Sequence, residues 1–198
     1  MPIIREIKRR SGGKTDLVLS GGRRFTWPSP VVTGSSLEEG DNVSPEELEA
    51  QLQEQAEEIF PVKARKYLAR YMRTTQQYID HFTAKGYPDP LVEGLVPALR
   101  EEGYLNDRRV AEEHLRKRLQ SKPRGRRKLI AELKGKGIES DLARRLVEEK
   151  VDPEKERELA EKYGKKNRGL SASKLGYRLK SRGFPAHIIH DVVEKYGN

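Results

Sequence analysis

The sequence predicts a mainly α-helical protein. Its expected architecture is three tandem three-helix repeats in an elongated, curved solenoid, preceded by a small β-hairpin or meander and an acidic helix. Three observations carry this reading. A glycine-centred apolar pattern recurs three times. Charged residues (36%) outnumber hydrophobic ones (34%), which leaves too little apolar material for one thick core but suits thin stacked units. The first 43 residues alternate and turn like strands, whereas everything beyond Val62 reads as helix and turn. The chain is thereby divided into a hairpin region and loop over 1–43, an acidic helix and linker over 44–61, and repeats over 62–106, 107–153 and 154–198.

Ile3 to Lys8 and Asp16 to Ser20 have strand character and are joined by Ser11-Gly12-Gly13-Lys14. Gly21-Gly22 then turns the chain into Arg23 to Trp27. So small a sheet is marginal alone and needs something to pack on. Pro28 to Gly40 reads as a loop. Ser44 opens a helix with Pro45 in its first turn and Glu47 completing a capping box. That helix runs through Leu48, Leu52 and Ile59, and Pro61 is expected to interrupt or kink it.

The repeats align on Lys85-Gly86, Lys136-Gly137 and Arg182-Gly183, with periods of 51 and 46 residues. Tyr87, Ile138 and Phe184 follow the glycines. Phe82, Leu133 and Leu179 stand four residues before them, and Tyr78, Leu129 and Leu175 eight before. Apolar residues at −8 and −4 share one helical face, and the glycine at C′ ends that helix with a left-handed backbone. Leu91, Leu142 and Ile188 at +5, with Leu95, Leu146 and Val192 at +9, begin the stripe of the next helix. The first helices of the units are placed at Val62–Met72, Asp107–Leu119 and Glu154–Tyr163. Pro97 falls inside the third helix of repeat one and should kink it.

Charge is polarised along the chain. Ser36 to Phe60 holds nine acids and no lysine or arginine, while Arg108 to Lys136 holds twelve basic residues and three acids, within an overall net charge of +9. A concentrated basic segment attracts phosphate backbones or acidic protein surfaces, although a solvated helix face has the same composition. Lys122-Pro123-Arg124-Gly125-Arg126-Arg127-Lys128 stands out, because it spans a helix start whose free amides favour anions. A second basic set in repeat three includes Lys174 and Arg178, with Lys165, Lys166, Arg168, Lys180 and Arg182.

Several chemistries are set aside. There is no cysteine, which removes disulfides and thiolate metal sites and fits a reducing compartment. Ser11-Gly12-Gly13-Lys14-Thr15 lacks the first glycine of a P-loop, having Lys8 there, and leads into a strand. Of His81, His114, His187 and His190 only the last two are close, and they lack further zinc ligands. No acid is marked as catalytic by its context. Tyr67, Tyr71, Tyr78 and Phe82 read as core at helical spacing rather than as base-stacking platforms. The reading is a soluble, cytoplasmic, non-enzymatic binding protein without cofactor, metal or membrane span, and a monomer.

Gly103-Tyr104-Leu105-Asn106-Asp107-Arg108 followed by Val110-Ala111, and Gly125-Arg126-Arg127-Lys128-Leu129-Ile130-Ala131-Glu132-Leu133-Lys134-Gly135-Lys136-Gly137-Ile138, together resemble the two signatures of the RecX family. The resemblance covers Val62 to Asn198. Val110 stands where that family usually has an aromatic residue. The resemblance implies binding in the groove of the RecA–DNA filament, damping of RecA's ATP hydrolysis and strand exchange, and a role in homologous recombination, DNA repair and the SOS response. On this reading a basic stripe meets RecA or DNA: Arg108, Arg109, Arg116, Lys117, Lys122, Arg124, Arg126, Arg127, Lys128, Lys134 and Lys136, extended by Lys174 and Arg178. Contact with single- or double-stranded DNA would be weak. The alternative is a direct DNA-binding protein with helix-turn-helix-like units.

Overall fold

The protein is described here from a computed structural model covering residues 1–121 and 123–198. It falls into two compact units, Met1–Leu105 and Asn106–Asn198, each with its own apolar core.

The first unit opens with three antiparallel strands in the order β1 (Ile4–Arg10), β2 (Lys14–Leu19) and β3 (Arg24–Pro28). The expected meander is present, and a single 3-10 turn over Ser11–Gly13 makes the first connection. Asp16 in β2 is buried but not orphaned: Thr26 Oγ1 donates to it at 2.8 Å and the Arg10 guanidinium lies at 2.7 Å. Burial pushes its pKa up, yet the hydrogen bonds from Thr26 and Arg10 outweigh burial and hold it below the usual aspartate value.

Two expectations for this unit need correction. The segment read as a loop after Pro28 contains a short helix, α1 (Ser29–Gly34). Pro30 sits in its first turn, where a missing N–H costs nothing, and Val31 and Val32 are buried against the core. Pro61, moreover, does not end the acidic helix. Helix α2 runs unbroken from Pro45 to Arg70, capped by the Ser44–Glu47 box, so the acidic helix and the first helix of repeat one are one element. The reason is the stripe Leu48, Leu52, Ala56, Phe60, Ala64 and Leu68, buried at every fourth position on both sides of the proline. An internal proline costs about 3 kcal/mol. Burying Phe60 and Leu68 returns roughly 1.5–3 kcal/mol each.

Repeat one continues with α3 (Thr75–Ala84), α4 (Asp89–Gly94) and α5 (Val96–Glu101). The third helix expected there is broken at Leu95 rather than kinked, and Pro97 lies in the first turn of α5. Tyr78 is fully buried and donates its hydroxyl to the Val92 carbonyl at 3.1 Å, which ties α3 to α4. The repeat packs its aromatic side chains into the core that also holds Leu17, Leu19 and Trp27 of the sheet.

The second unit contains α6 (Asp107–Ser121), α7 (Arg126–Lys134), α8 (Ser140–Lys150), α9 (Pro153–Lys166), α10 (Ala172–Ser181) and α11 (Ala186–Tyr196). These supply three helices to each of repeats two and three, which share one core. The repeat glycines behave as their spacing requires. Gly86, Gly137 and Gly183 have φ of +91°, +79° and +82°, and the next residue donates to the carbonyl five positions back in all three: Tyr87 to Phe82, Ile138 to Leu133, Phe184 to Leu179.

Candidate protein- and nucleic-acid-binding surface

The basic residues singled out in the sequence all lie in the second unit, except that Lys122 lies outside the described residues. They divide by whether an acid already engages them.

Five of them, and the neighbouring Arg118, are held by carboxylates. Arg108 reaches Glu112 at 2.9 Å and Glu149 at 2.8 Å, bridging α6 to α8. Arg116 forms a two-pronged pair with Glu113, and Lys117 lies 3.1 Å from the same acid. Hydrogen bonds from Arg116 and then Lys117 lower the Glu113 pKa to about 2. Arg124 stands 3.3 Å from Glu132, as does Arg118 at 2.8 Å, while His114 Nε2 is 3.1 Å from the same carboxylate. The Nε atoms of Arg118 and Arg124 are buried and within ion-pair distance but off the hydrogen-bond angle, so the Glu132 cluster is held by charge more than by directed bonds. Burial lowers the His114 pKa more than its bond to Glu132 raises it.

Arg126 is the fifth, and it corrects the reading of the α7 start as a vacant anion site. Glu156 of α9, with a side chain only 4% exposed, accepts from the Arg126 amide at 2.7 Å and from its Nε at 3.1 Å. The free amide that was to draw an outside anion is thus capped by the protein's own acid. The same helix start abuts the end of α10. Gly125 donates to the Arg182 carbonyl at 3.0 Å, and a side-chain carbon on Gly125 would lie 2.4 Å from the Gly183 oxygen. This basic junction is therefore a structural joint between repeats two and three.

Arg109, Arg127, Lys128 and Lys134, with Lys174 and Arg178 on α10, have no acid within ion-pair distance among the described residues. Apart from half-buried Lys128, all of these are exposed. Lys128 and Lys174 both stand nine residues before their repeat glycines, so the two units present a cation at the same place on the same helix. Lys136 is half-buried. Beside Arg127 a groove of about 300 Å³ runs between the two repeats, with Arg126, Arg144 and His187 among its lining residues and Glu148 and Glu156 as its acids. No group of histidines and acids suited to a metal occurs among the described residues, and no described helix is long and apolar enough to cross a membrane.

Sequence reasoning missed Glu156 and Glu132. A signal for Glu156 exists: it occupies the stripe that continues through Leu159, Ala160 and Tyr163, and an acid on an apolar stripe needs a partner.

Comparison with known proteins points one way. Residues 106–146, from the entry to α6 to Leu146 in α8, match the family profile described as RecX, second three-helix domain. The regulatory protein RecX of Caldanaerobacter subterraneus subsp. tengcongensis is 28% identical over 197 residues, covering 98% of both chains. That of Bacillus velezensis is 25% identical over 205 aligned positions, covering 98% of this chain and 78% of the relative. A crystal structure of regulatory protein RecX superposes with a TM-score of 0.61 at 20% identity, covering 98% of this chain and all of the other. RecX from Lactobacillus salivarius gives 0.57 at 21% identity, over 68% of this chain and 92% of that one. At those identities the two solved structures speak to the fold.

Proposed function

Since this chain belongs to the RecX family, we propose that it is a non-catalytic regulator that binds the RecA–DNA filament and restrains RecA's ATP hydrolysis and recombinase activity. The observation that carries the reading is the set of cations on repeats two and three that have no acid within ion-pair distance among the described residues. Arg109, Arg127, Lys134, Lys174 and Arg178, with the half-buried Lys128, are the residues most available to phosphates or to acidic residues of a filament. The six engaged residues, Arg126 above all, serve the protein's own architecture and contribute less. Regulatory relatives matching along nearly the full chain supply the biological context.

The test is RecA ATP hydrolysis on single-stranded DNA with increasing amounts of this protein. Inhibition is expected, and a variant reversing Arg127, Lys128, Lys174 and Arg178 should lose it while keeping its far-UV circular dichroism. Arg126 is left intact, because a glutamate there would face Glu156. Undiminished inhibition by the reversed variant would refute the site, and no inhibition by the parent would refute the function. Direct DNA binding is the competing outcome: it would occur without RecA and would weaken steeply with salt, by about 0.7–0.9 logarithmic units per phosphate contacted for each tenfold rise.

A further inference from the structure

The first unit holds a cavity that plays no part in the regulatory reading. It measures about 430 Å³ and lies where the strand ends, α2 and α3 converge. Its lining is largely apolar and includes Pro28, Pro30, Tyr67, Phe82 and Tyr87. Lys63 and Lys66, one turn apart on α2, and Lys85 at the end of α3 also line it, and no aspartate or glutamate does so among the described residues. None of these three lysines has an acid within ion-pair distance among the described residues. An apolar pit that several such cations also line is complementary to an apolar group that carries more than one negative charge.

The polar groups narrow the occupant. Three are ammonium groups; the others are the Ser29 hydroxyl, whose oxygen already accepts from Thr15 at 2.8 Å, the Tyr67 hydroxyl, which accepts from Arg73 at 3.0 Å, the Tyr87 hydroxyl and the His81 imidazole. A nucleobase would need acceptors at its edge and an open ring face. Here Tyr67 has one face covered by His81, with centroids 4.1 Å apart and planes 9° apart, and Phe82 and Tyr87 are each only 4% exposed. A simple apolar acid would satisfy one lysine and leave the other two. A peptide with an apolar anchor between carboxylates would satisfy all three.

We propose that this cavity is a docking pocket for an acidic peptide segment of a partner protein. One aromatic or long aliphatic side chain of that segment sits among the prolines, Tyr67, Phe82 and Tyr87, and its flanking carboxylates meet Lys63, Lys66 and Lys85. The anchor supplies contact area and the lysines supply orientation and attraction.

The experiment is fluorescence anisotropy of a labelled, end-blocked Glu-Asp-Phe-Asp-Glu peptide titrated with the full chain at low salt, with no RecA present. Saturable binding is expected. Replacing the peptide's Phe by Ser, or introducing K63E, K66E and K85E together, should weaken it by about tenfold or more. Should the triple variant lose helical circular dichroism, K66E alone decides the matter, since Lys66 is exposed and has no acid within ion-pair distance among the described residues. Absence of saturable binding overturns the proposal, as does equal binding by the lysine variant or by the Phe-less peptide. So does displacement of the peptide by an oligo-dT strand at lower concentration than by unlabelled peptide, which would make the pocket a nucleic-acid site.

Discussion

The close approach of Gly125 and Gly183 makes the joint between repeats two and three open to direct measurement. A methyl group on Gly183 would lie 2.5 Å from the Lys128 amide nitrogen and 2.6 Å from its Cβ, and Gly183 also holds a φ of +82°. Forcing an alanine into that backbone region costs about 1–2 kcal/mol, and overpacking against rigid neighbours adds about 1–3 kcal/mol. The loss expected for Gly183→Ala is the combination, roughly 2–5 kcal/mol. Gly125→Ala separates the two terms. Its φ is −73°, which any residue accepts, but its new methyl would meet the Gly183 carbonyl oxygen at 2.4 Å. Crowding alone then predicts about 1–3 kcal/mol. Gly103→Ala is the opposite control, with φ of +77° and nothing within 4 Å, so about 1–2 kcal/mol from conformation alone. Urea denaturation followed by far-UV circular dichroism, extrapolated to water, gives all three. A Gly125→Ala variant within about 0.5 kcal/mol of the parent, or a Gly183→Ala variant no worse than Gly103→Ala, would refute the claim that backbone contact binds these repeats.

Three further outcomes follow from other contacts. Glu156→Ala removes the partner of the Arg126 amide and guanidinium and should cost about 2–3 kcal/mol in the same denaturation, since an N-terminal cap is worth about 1 kcal/mol and a charge-assisted bond about 1.5–3, the latter discounted because the Arg126 side chain is 34% exposed; hydrogen exchange should also quicken at the first amides of α7. Tyr78→Phe deletes the hydroxyl that satisfies the Val92 carbonyl and should lower stability by about 1 kcal/mol, with an unchanged melting profile counting against that bond. Asp16 has a folded pKa below its ordinary 3.8. The unfolded chain therefore takes up its proton first as pH falls, and the stability this residue contributes is complete above about 3.8 and lost as pH drops through its folded value; Asp16→Asn should flatten the acid limb of a urea-midpoint profile below pH 4, and an unaltered slope would contradict the assignment.

Local signals made much of the fold legible. The Ser44–Glu47 box, the Gly12-Gly13 turn and the three repeat glycines each rest on chemistry contained within a few residues, and they recur in the structure as read. What was illegible depends on tertiary burial. Pro61 is a breaker by local rules, and only the stripe continuing through Phe60 and Ala64 keeps α2 whole. Pro28 to Gly34 has the composition of a loop, and the burial of Val31 and Val32 makes it a helix. Charge was the least legible level. A run of arginines and lysines does not say which of them face acids brought in from distant helices. Glu149, 41 residues from Arg108, and Glu156, 30 residues from Arg126, turn two apparent ligand-binding cations into internal fastenings.

The uninterrupted course of α2 also limits how this protein can change its length. At 1.5 Å and 100° per residue, its 26 residues form a rod of about 39 Å with a fixed rotational phase from end to end. One residue inserted before Pro61 would swing Leu48 and Leu52 about a quarter-turn out of line with Ala64 and Leu68, withdrawing one set or the other from the shared interior. Additions and deletions should therefore accumulate at the ends of this rod, in the stretch from Ser35 to Val43 or around Met72, while the rod itself keeps its register.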